Sequence, residues 1–312
     1  MGIESMADLL APRSRESFFR QSYGESFACI RGGPAKTAGL PTLERFRELL
    51  HRGIPWRSRR PPEIYFDGCR VDPENLSLRF TTMDGWDALA PLQDCIAEVL
   101  RGGCTIVSYG MQDYVPELEG LCDLVADQLV AETEAHLVYS RGGVAGLAPH
   151  YDSTEVFVLH LGGEKRWRIW DQRAPNPIGG RGVAEPHEAG RGSQELTLRD
   201  GDLLYLPRGT FHDALALSDE SLHVSLVARV PTCHDFLEFL IERSLAFEDV
   251  RAYFGSFAPA ASESAEVAAG NTLRKLVDIG LTAELMQEFE QVCRTRARRR
   301  LQAPAPLVAA VR

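Results

Sequence analysis

Between residues 155 and 230 the chain is cut into short apolar runs separated by turn residues, and this punctuation limits the folds open to it. The runs cover 155–161, 166–170, 195–198, 203–206 and 222–230. They are too short for helices and rich in Val, Leu, Ile and Trp, residues that suit a pleated surface. Strands of this length with Gly, Asp and Pro between them predict a sandwich or a barrel. Residues 172–193 interrupt the series; rich in Gly, Pro and Arg, they read as a long loop beside whatever site the strands carry.

Two residues stand at the entrance to the first run. His150 and Asp152 are two apart, and strand periodicity puts i and i+2 on one face. A third follows later, in Gly201-Asp202-Leu203-Leu204-Tyr205-Leu206-Pro207-Arg208-Gly209-Thr210-Phe211-His212, where a turn opens a short strand, Pro207 ends it and His212 comes next. Two imidazoles and one carboxylate on one face leave the other positions of an octahedral metal open, the donor set of non-haem Fe(II) oxygenases. A bare His-x-Asp recurs by chance in solvated loops. Here strand lies on both sides, a Gly-Asp turn precedes His212, and Lys165 sits just past Gly162-Gly163.

The composition is that of an ordinary soluble domain, 44% hydrophobic and 25% charged over 312 residues, enough to bury a large core. No apolar run approaches a bilayer span, and Met1-Gly2-Ile3-Glu4-Ser5 lacks the basic and apolar regions of a signal peptide, so a cytoplasmic protein with no membrane contact is expected. A net charge of −10 argues against direct nucleic-acid binding and is compatible with a basic protein or peptide partner. The seven cysteines are scattered with no C-x-x-C, which suits buried thiols in a reducing compartment.

Along the rest of the chain, residues 1–60 read as mostly helical, with a strand at 27–31 and a helix at 43–51 capped by Thr42 and stopped by Gly53. Short strands are expected at 64–66, 76–80, 105–109 and 136–140, and helices at 85–101 and 116–132. Beyond Pro231 the pattern returns to helix, 234–247 and 272–300, with 259–271 as a linker. Five arginines within 294–300 read as a solvated helix end, where positive charge complements the dipole.

These residues carry a likeness. Gly146-Leu147-Ala148-Pro149-His150-Tyr151-Asp152, Gly163-Glu164-Lys165-Arg166-Trp167-Arg168, the stretch from Gly201 to His212, and Ser221-Leu222-His223-Val224-Ser225-Leu226 together resemble the JmjC-type ribosomal oxygenases, cupin-like enzymes that hydroxylate protein side chains. Phe18-Phe19, Ile30-Arg31-Gly32 and Gly103-Cys104-Thr105-Ile106-Val107 look like the family's N-terminal elements, so the likeness spans about 15–230. It implies an α+β protein. Residues 1–134 would be N-terminal α/β elements, 135–231 a double-stranded β-helix (a cupin or JmjC jelly roll), and 232–312 a helical region with a homodimer contact and no complete winged helix.

The resemblance further implies Fe(II), 2-oxoglutarate and O2, and a protein or peptide substrate hydroxylated at Cβ of His or Arg. That substrate would be a ribosomal protein or a ribosomally made natural-product precursor. The Lys or Arg that binds the far carboxylate of 2-oxoglutarate in the family falls on Lys165, fifteen residues past His150. The family's Asn and Tyr on the strand before the Gly-rich loop are replaced by His136 and Val138, so Tyr139, or Tyr109 on the preceding strand, is expected to supply the hydroxyl, with Thr154 and Ser225 as further cosubstrate contacts. His223 reads as a hydrogen-bonded core histidine rather than a fourth ligand, His160 as packing or pocket lining, and His187 as solvated. Of Trp167 and Trp170, opposite in parity, one is expected in the core and the other in the substrate groove. The alternatives are a small-molecule cupin oxygenase without 2-oxoglutarate, which would leave Lys165 without a task, a non-catalytic cupin-like binding module, and methyl-lysine demethylation by the same centre.

Overall fold

The computed structural model describes residues 2–58, 60–143, 146–179, 192–251, 265–278 and 282–298. His187 and most of the expected 172–193 loop lie outside them. The described residues divide into two compact units, one up to Arg229 and one from Val230 onward.

In the first unit α1 (Met6–Leu10), α2 (Arg15–Gln21) and α3 (Leu43–His51) each follow a hydroxyl N-cap, Ser5, Ser14 and Thr42, whose side chain accepts a first-turn N–H. A short strand, β1 (Ala28–Ile30), lies between α2 and α3. β2 (Glu63–Phe66) and β3 (Cys69–Val71) form a hairpin over Asp67-Gly68, both at positive φ, the turn whose twist matches paired strands. The expected helix at 85–101 is only half helix. Residues Asp87–Pro91 form β5, paired with β4 (Ser77–Thr81) across a turn containing Gly85, and α4 (Gln93–Gly102) follows. Then come β6 (Cys104–Ser108), α5 (Pro116–Leu129) and β7 (Glu132–Arg141).

The strands after residue 150 are β8 (Glu155–Gly162), β9 (Lys165–Arg173), β10 (Ser193–Leu198), β11 (Leu203–Leu206), β12 (Thr210–Ala216) and β13 (Glu220–Arg229). The large sheet runs β1-β11-β8-β13-β7-β6-β2-β3 and the small one β10-β9-β12, all neighbours antiparallel. Their facing sides close on one core: Val156, Val158, Leu204 and Leu206 from the large sheet, Trp167, Ile169 and Leu198 from the small. This is the double-stranded β-helix. On the outer face of the large sheet Phe18 of α2 packs on Phe157 and Tyr205, and Phe46 of α3 stacks on Tyr139, while α5 lies against β7 and β13. A sheet covered on both faces needs apolar residues at every position, which is why β8 reads as a continuous run.

The second unit is helical. α6 (Cys233–Ser244) opens on a capping box between Thr232 and Asp235, and α7 (Glu248–Arg251), α8 (Ala265–Asp278) and α9 (Ala283–Arg298) follow. Phe236 and Phe239 meet Phe289, 5.1 and 5.4 Å between ring centroids. Of the linker expected at 259–271, residues 259–264 lie outside the described residues and the rest is helix from Ala265 onward, where three alanines favour it; the single helix expected over 272–300 is divided between α8 and α9, with Thr282 outside both. Among the described residues no helix is long and apolar enough to cross a membrane.

Candidate metal centre and adjoining cavity

β12 pairs with β9 through a register shift between Thr210 and His212. A bulge of this kind re-aims one side chain, here His212, into the space between the sheets. His150, in the segment before β8, meets His212 in an antiparallel bridge, and Asp152 is tied to the same place by Gly209 N–H donating to its carbonyl at 2.7 Å. One ligand atom from each of His150, Asp152 and His212 lies within 4.8 Å of the others, a set able to hold a metal ion. Among the described residues no other group of three has this arrangement.

Both imidazoles are presented in one tautomer. His150 Nδ1 lies 2.9 Å from Ala148 O and His212 Nδ1 2.9 Å from Thr210 O. Only a protonated Nδ1 can meet a carbonyl, so in the neutral form of each ring the lone pair falls on Nε2. His212 is 5% exposed, and burial followed by the nearby His150 pulls its pKa down to about 4, so it stays neutral at physiological pH. Neutral imidazole is the form that binds a metal.

From this cluster a cavity of about 390 Å³ runs between the sheets, and Lys165, at the start of β9, borders it. Lys165 is 3% exposed. Its Nζ donates to Ser140 Oγ at 2.7 Å, and that hydroxyl shares a hydrogen bond with Thr105 Oγ1 at 2.8 Å. No carboxylate among the described residues pairs with it, and burial pulls its pKa down to about 7. A buried ammonium that donates to a hydroxyl, borders a cavity and has no carboxylate beside it among the described residues is a site for an anion.

Thr154 and Ser225 line this cavity, as do His136, Val138 and Tyr109. Tyr139 does not. On β7 the inward parity is His136, Val138 and Ser140, and Tyr139 points to the opposite face, where it stacks on Phe46 and donates its hydroxyl to Glu220. The expectation that Tyr139 contacts a cosubstrate is therefore corrected. Tyr109 has the right face, but its hydroxyl donates to Glu63 Oε2 at 2.7 Å. His160 packs in the core with Nε2 on Gly163 O at 3.0 Å, and burial brings its pKa down to about 4. Trp167 both belongs to the core and lines the cavity, 5.8 Å from the His212 ring, whereas Trp170 packs with Phe211 under Arg168.

The cavity lining contains a cluster that the sequence reading missed. Glu63 accepts from Tyr65 and Tyr109 hydroxyls and from Arg60, each at 2.7 Å, and the Arg60 guanidinium lies 3.8 Å from the Tyr109 ring centre. Burial pushes the Glu63 carboxyl up, but these hydrogen bonds outweigh it and hold it below its usual value. The available signal was the alternation Thr105, Val107, Tyr109 on β6 and its continuation, which puts small or polar residues on the cavity side.

Residues 110–236 match the family model for the JmjC domain, and a double-stranded β-helix that turns two imidazoles and a carboxylate into one cavity accords with that match. The relatives include a ribosomal oxygenase and a bifunctional demethylase and hydroxylase. The chain is 29% identical over 244 residues to ribosomal oxygenase 1 of Gallus gallus, covering 76% of this chain and 39% of the relative. It is 34% identical over 229 residues to the bifunctional lysine-specific demethylase and histidyl-hydroxylase NO66 of Dictyostelium discoideum, covering 71% and 42%. The chain thus spans less than half the length of these curated relatives. Among solved structures, the fold matches YcfD, a ribosomal oxygenase from Escherichia coli in complex with cobalt and 2-oxoglutarate, with a TM-score of 0.58 at 14% identity over 92% of this chain and 72% of the other.

Proposed function

We propose that this chain is an Fe(II)- and 2-oxoglutarate-dependent dioxygenase that hydroxylates a side chain of a protein or peptide. The observation that carries this reading is the pairing of two half-sites in one cavity: the His150, Asp152 and His212 cluster, and the buried Lys165 ammonium with no carboxylate of its own among the described residues. A dicarboxylate that binds metal at one end needs a buried cation at the other. A small-molecule cupin without this cosubstrate would leave Lys165 buried to no purpose.

In this reading His150, Asp152 and His212 hold Fe(II), and Lys165 pairs with the far carboxylate of 2-oxoglutarate. Bound iron and 2-oxoglutarate supply the activation of O2 and the oxidation of a C–H bond. The chain's own contribution is placement. The Nδ1–H bonds to Ala148 and Thr210 fix both rings, Val156, Val158 and Trp167 give the cavity an apolar wall, and Thr154 and Ser225 offer hydroxyls along it. The relatives' names bear on the substrate: histidyl hydroxylation and ribosomal oxygenation are protein modifications, and Cβ of His or Arg in a ribosomal protein or precursor peptide is the target we assign. We place the enzyme in the cytoplasm, the compartment that its scattered cysteines suit, as a homodimer without a direct nucleic-acid contact.

The test is succinate release from 2-oxoglutarate by the purified chain with Fe(II) and ascorbate, and mass spectrometry for one added oxygen on His- and Arg-bearing peptides. Turnover that persists in His212→Ala overturns the ligand set.

A further inference from the structure

The end of the cavity at Lys165 holds a second polar group that the structure leaves unpartnered. His223 lines the cavity, is 3% exposed, and its Nδ1 meets no hydrogen-bond partner. Burial agrees with the core histidine expected from the sequence; the hydrogen bond expected with it is missing at that nitrogen. Most buried polar atoms are paired, because an unpaired one forfeits its hydration. His160, its neighbour on β8, has an unpartnered Nδ1 as well but is anchored to Gly163 through Nε2, and among the described residues His223 has no such anchor.

The ring is nevertheless held in place. β13 shifts register against β8 between Leu222 and His223, the irregularity that re-aims a side chain. Trp167 meets the His223 ring edge-on at 5.4 Å, and His160 lies 6.4 Å away in a stacked orientation. Register fixes its place along the cavity. Ser140, which receives the Lys165 hydrogen bond, pairs with Ser221; His223 pairs with Val138, one inward step on; Ser225 pairs with His136, a step further still. His223 is thus the inward-facing cavity residue of β13 nearest to Lys165, with Tyr139 on the other face and the Tyr109 hydroxyl committed to Glu63.

We propose that His223 donates an N–H to the far carboxylate of the bound dicarboxylate, sharing that group with Lys165. The inference rests on the cosubstrate reading above and adds a residue to it. A carboxylate has about four lone-pair sites, more than one ammonium fills, and a fixed imidazole N–H is a complement that a neutral or missing group would not reward. His223 is a positioning and specificity residue: it selects a diacid over the same keto acid without its second carboxylate.

The experiment is calorimetric titration of the full chain loaded with Mn(II), using 2-oxoglutarate and 2-oxopentanoate as probes. The expected result is about tenfold weaker 2-oxoglutarate binding in His223→Leu, near-parental binding in His223→Gln, and unchanged affinities for Mn(II) and 2-oxopentanoate in both, about tenfold being the usual effect of one hydrogen bond to a charged group. Parental 2-oxoglutarate affinity in His223→Leu, or equal losses for both acids, overturns the proposal while leaving the cosubstrate reading intact. A parent that does not bind 2-oxoglutarate overturns both. Should His223→Leu fail to fold, the nitrogen-15 spectrum of the parent decides: 2-oxoglutarate should bring out a protected His223 ring N–H, and an unchanged ring signal overturns the proposal.

Discussion

His150 and His212 grip one another through the backbone, His150 N–H to His212 O at 3.1 Å and His212 N–H to His150 O at 2.8 Å, with ring centroids 4.4 Å apart. Two segments distant in sequence are thereby registered before any metal arrives. A metal bound only by the folded state stabilises it by mass action, by about 2.7 kcal/mol at a hundredfold excess over Kd. Mn(II) should therefore raise the melting temperature of the first unit and EDTA should reverse the rise. His212→Ala should melt at one temperature with or without Mn(II), since two donors remain. An equal rise in parent and variant would move the metal elsewhere.

Lys165 ties cosubstrate affinity to pH. Burial lowers its pKa from 10.5 to about 7, so between those values the unfolded chain keeps a proton that the folded protein has lost. Stability of the free protein from this group accordingly rises as pH climbs from about 7 to 10.5. Binding a dicarboxylate has the opposite sign, because it needs the charged amine. At pH values above 7, 2-oxoglutarate should bind with uptake of up to one proton, and its Kd should grow by at most about tenfold per pH unit. Calorimetry in buffers of different ionisation enthalpy checks this. Lys165→Met should bind roughly 10–100-fold more weakly and lose the pH dependence.

Gly209 sets the position of Asp152. It sits at φ +82°, donates to Asp152 O, and a Cβ there would stand 2.3 Å from Ala174 O. Gly209→Ala should cost about 2–3 kcal/mol from the left-handed backbone and the displaced neighbour. Denaturant unfolding measures that loss, and Mn(II) affinity should fall with it. A stable variant with parental Mn(II) affinity would show that Asp152 does not depend on this turn.

The ligand cluster was legible because its signals are local: His-x-Asp before a strand, and a Gly-Asp turn eleven residues before His212. The face on which Tyr139 lies was not. With α3 and α5 outside and a largely apolar cavity inside, Leu137, Val138 and Tyr139 look alike in sequence, and only the pairing of β7 with β6 and β13 settles parity. β5 was hidden differently. Asp87-Ala88-Leu89-Ala90 has good helix formers, and pairing with β4 overrides them. β12 escaped notice because Pro207 marked an ending, whereas the chain turns at Gly209 and resumes as a strand.

The helical unit supplies the last prediction, for the proposed homodimer. On α6, Phe236 and Phe239 face Phe289, while Leu237 and Ile241, one helical turn apart, are 56% and 53% exposed, with Leu245 beyond them at 45%. Apolar residues at i, i+4 and i+8 form a stripe along one side of a helix. Left in water, such a stripe favours a second copy of itself, and a two-fold contact would bring each stripe against its mate. Leu237→Glu with Ile241→Glu should convert a dimer to a monomer in light scattering behind a sizing column, without lowering the melting temperature of the first unit. A parent that runs as a monomer, or a double variant that still dimerises, removes α6 from the interface.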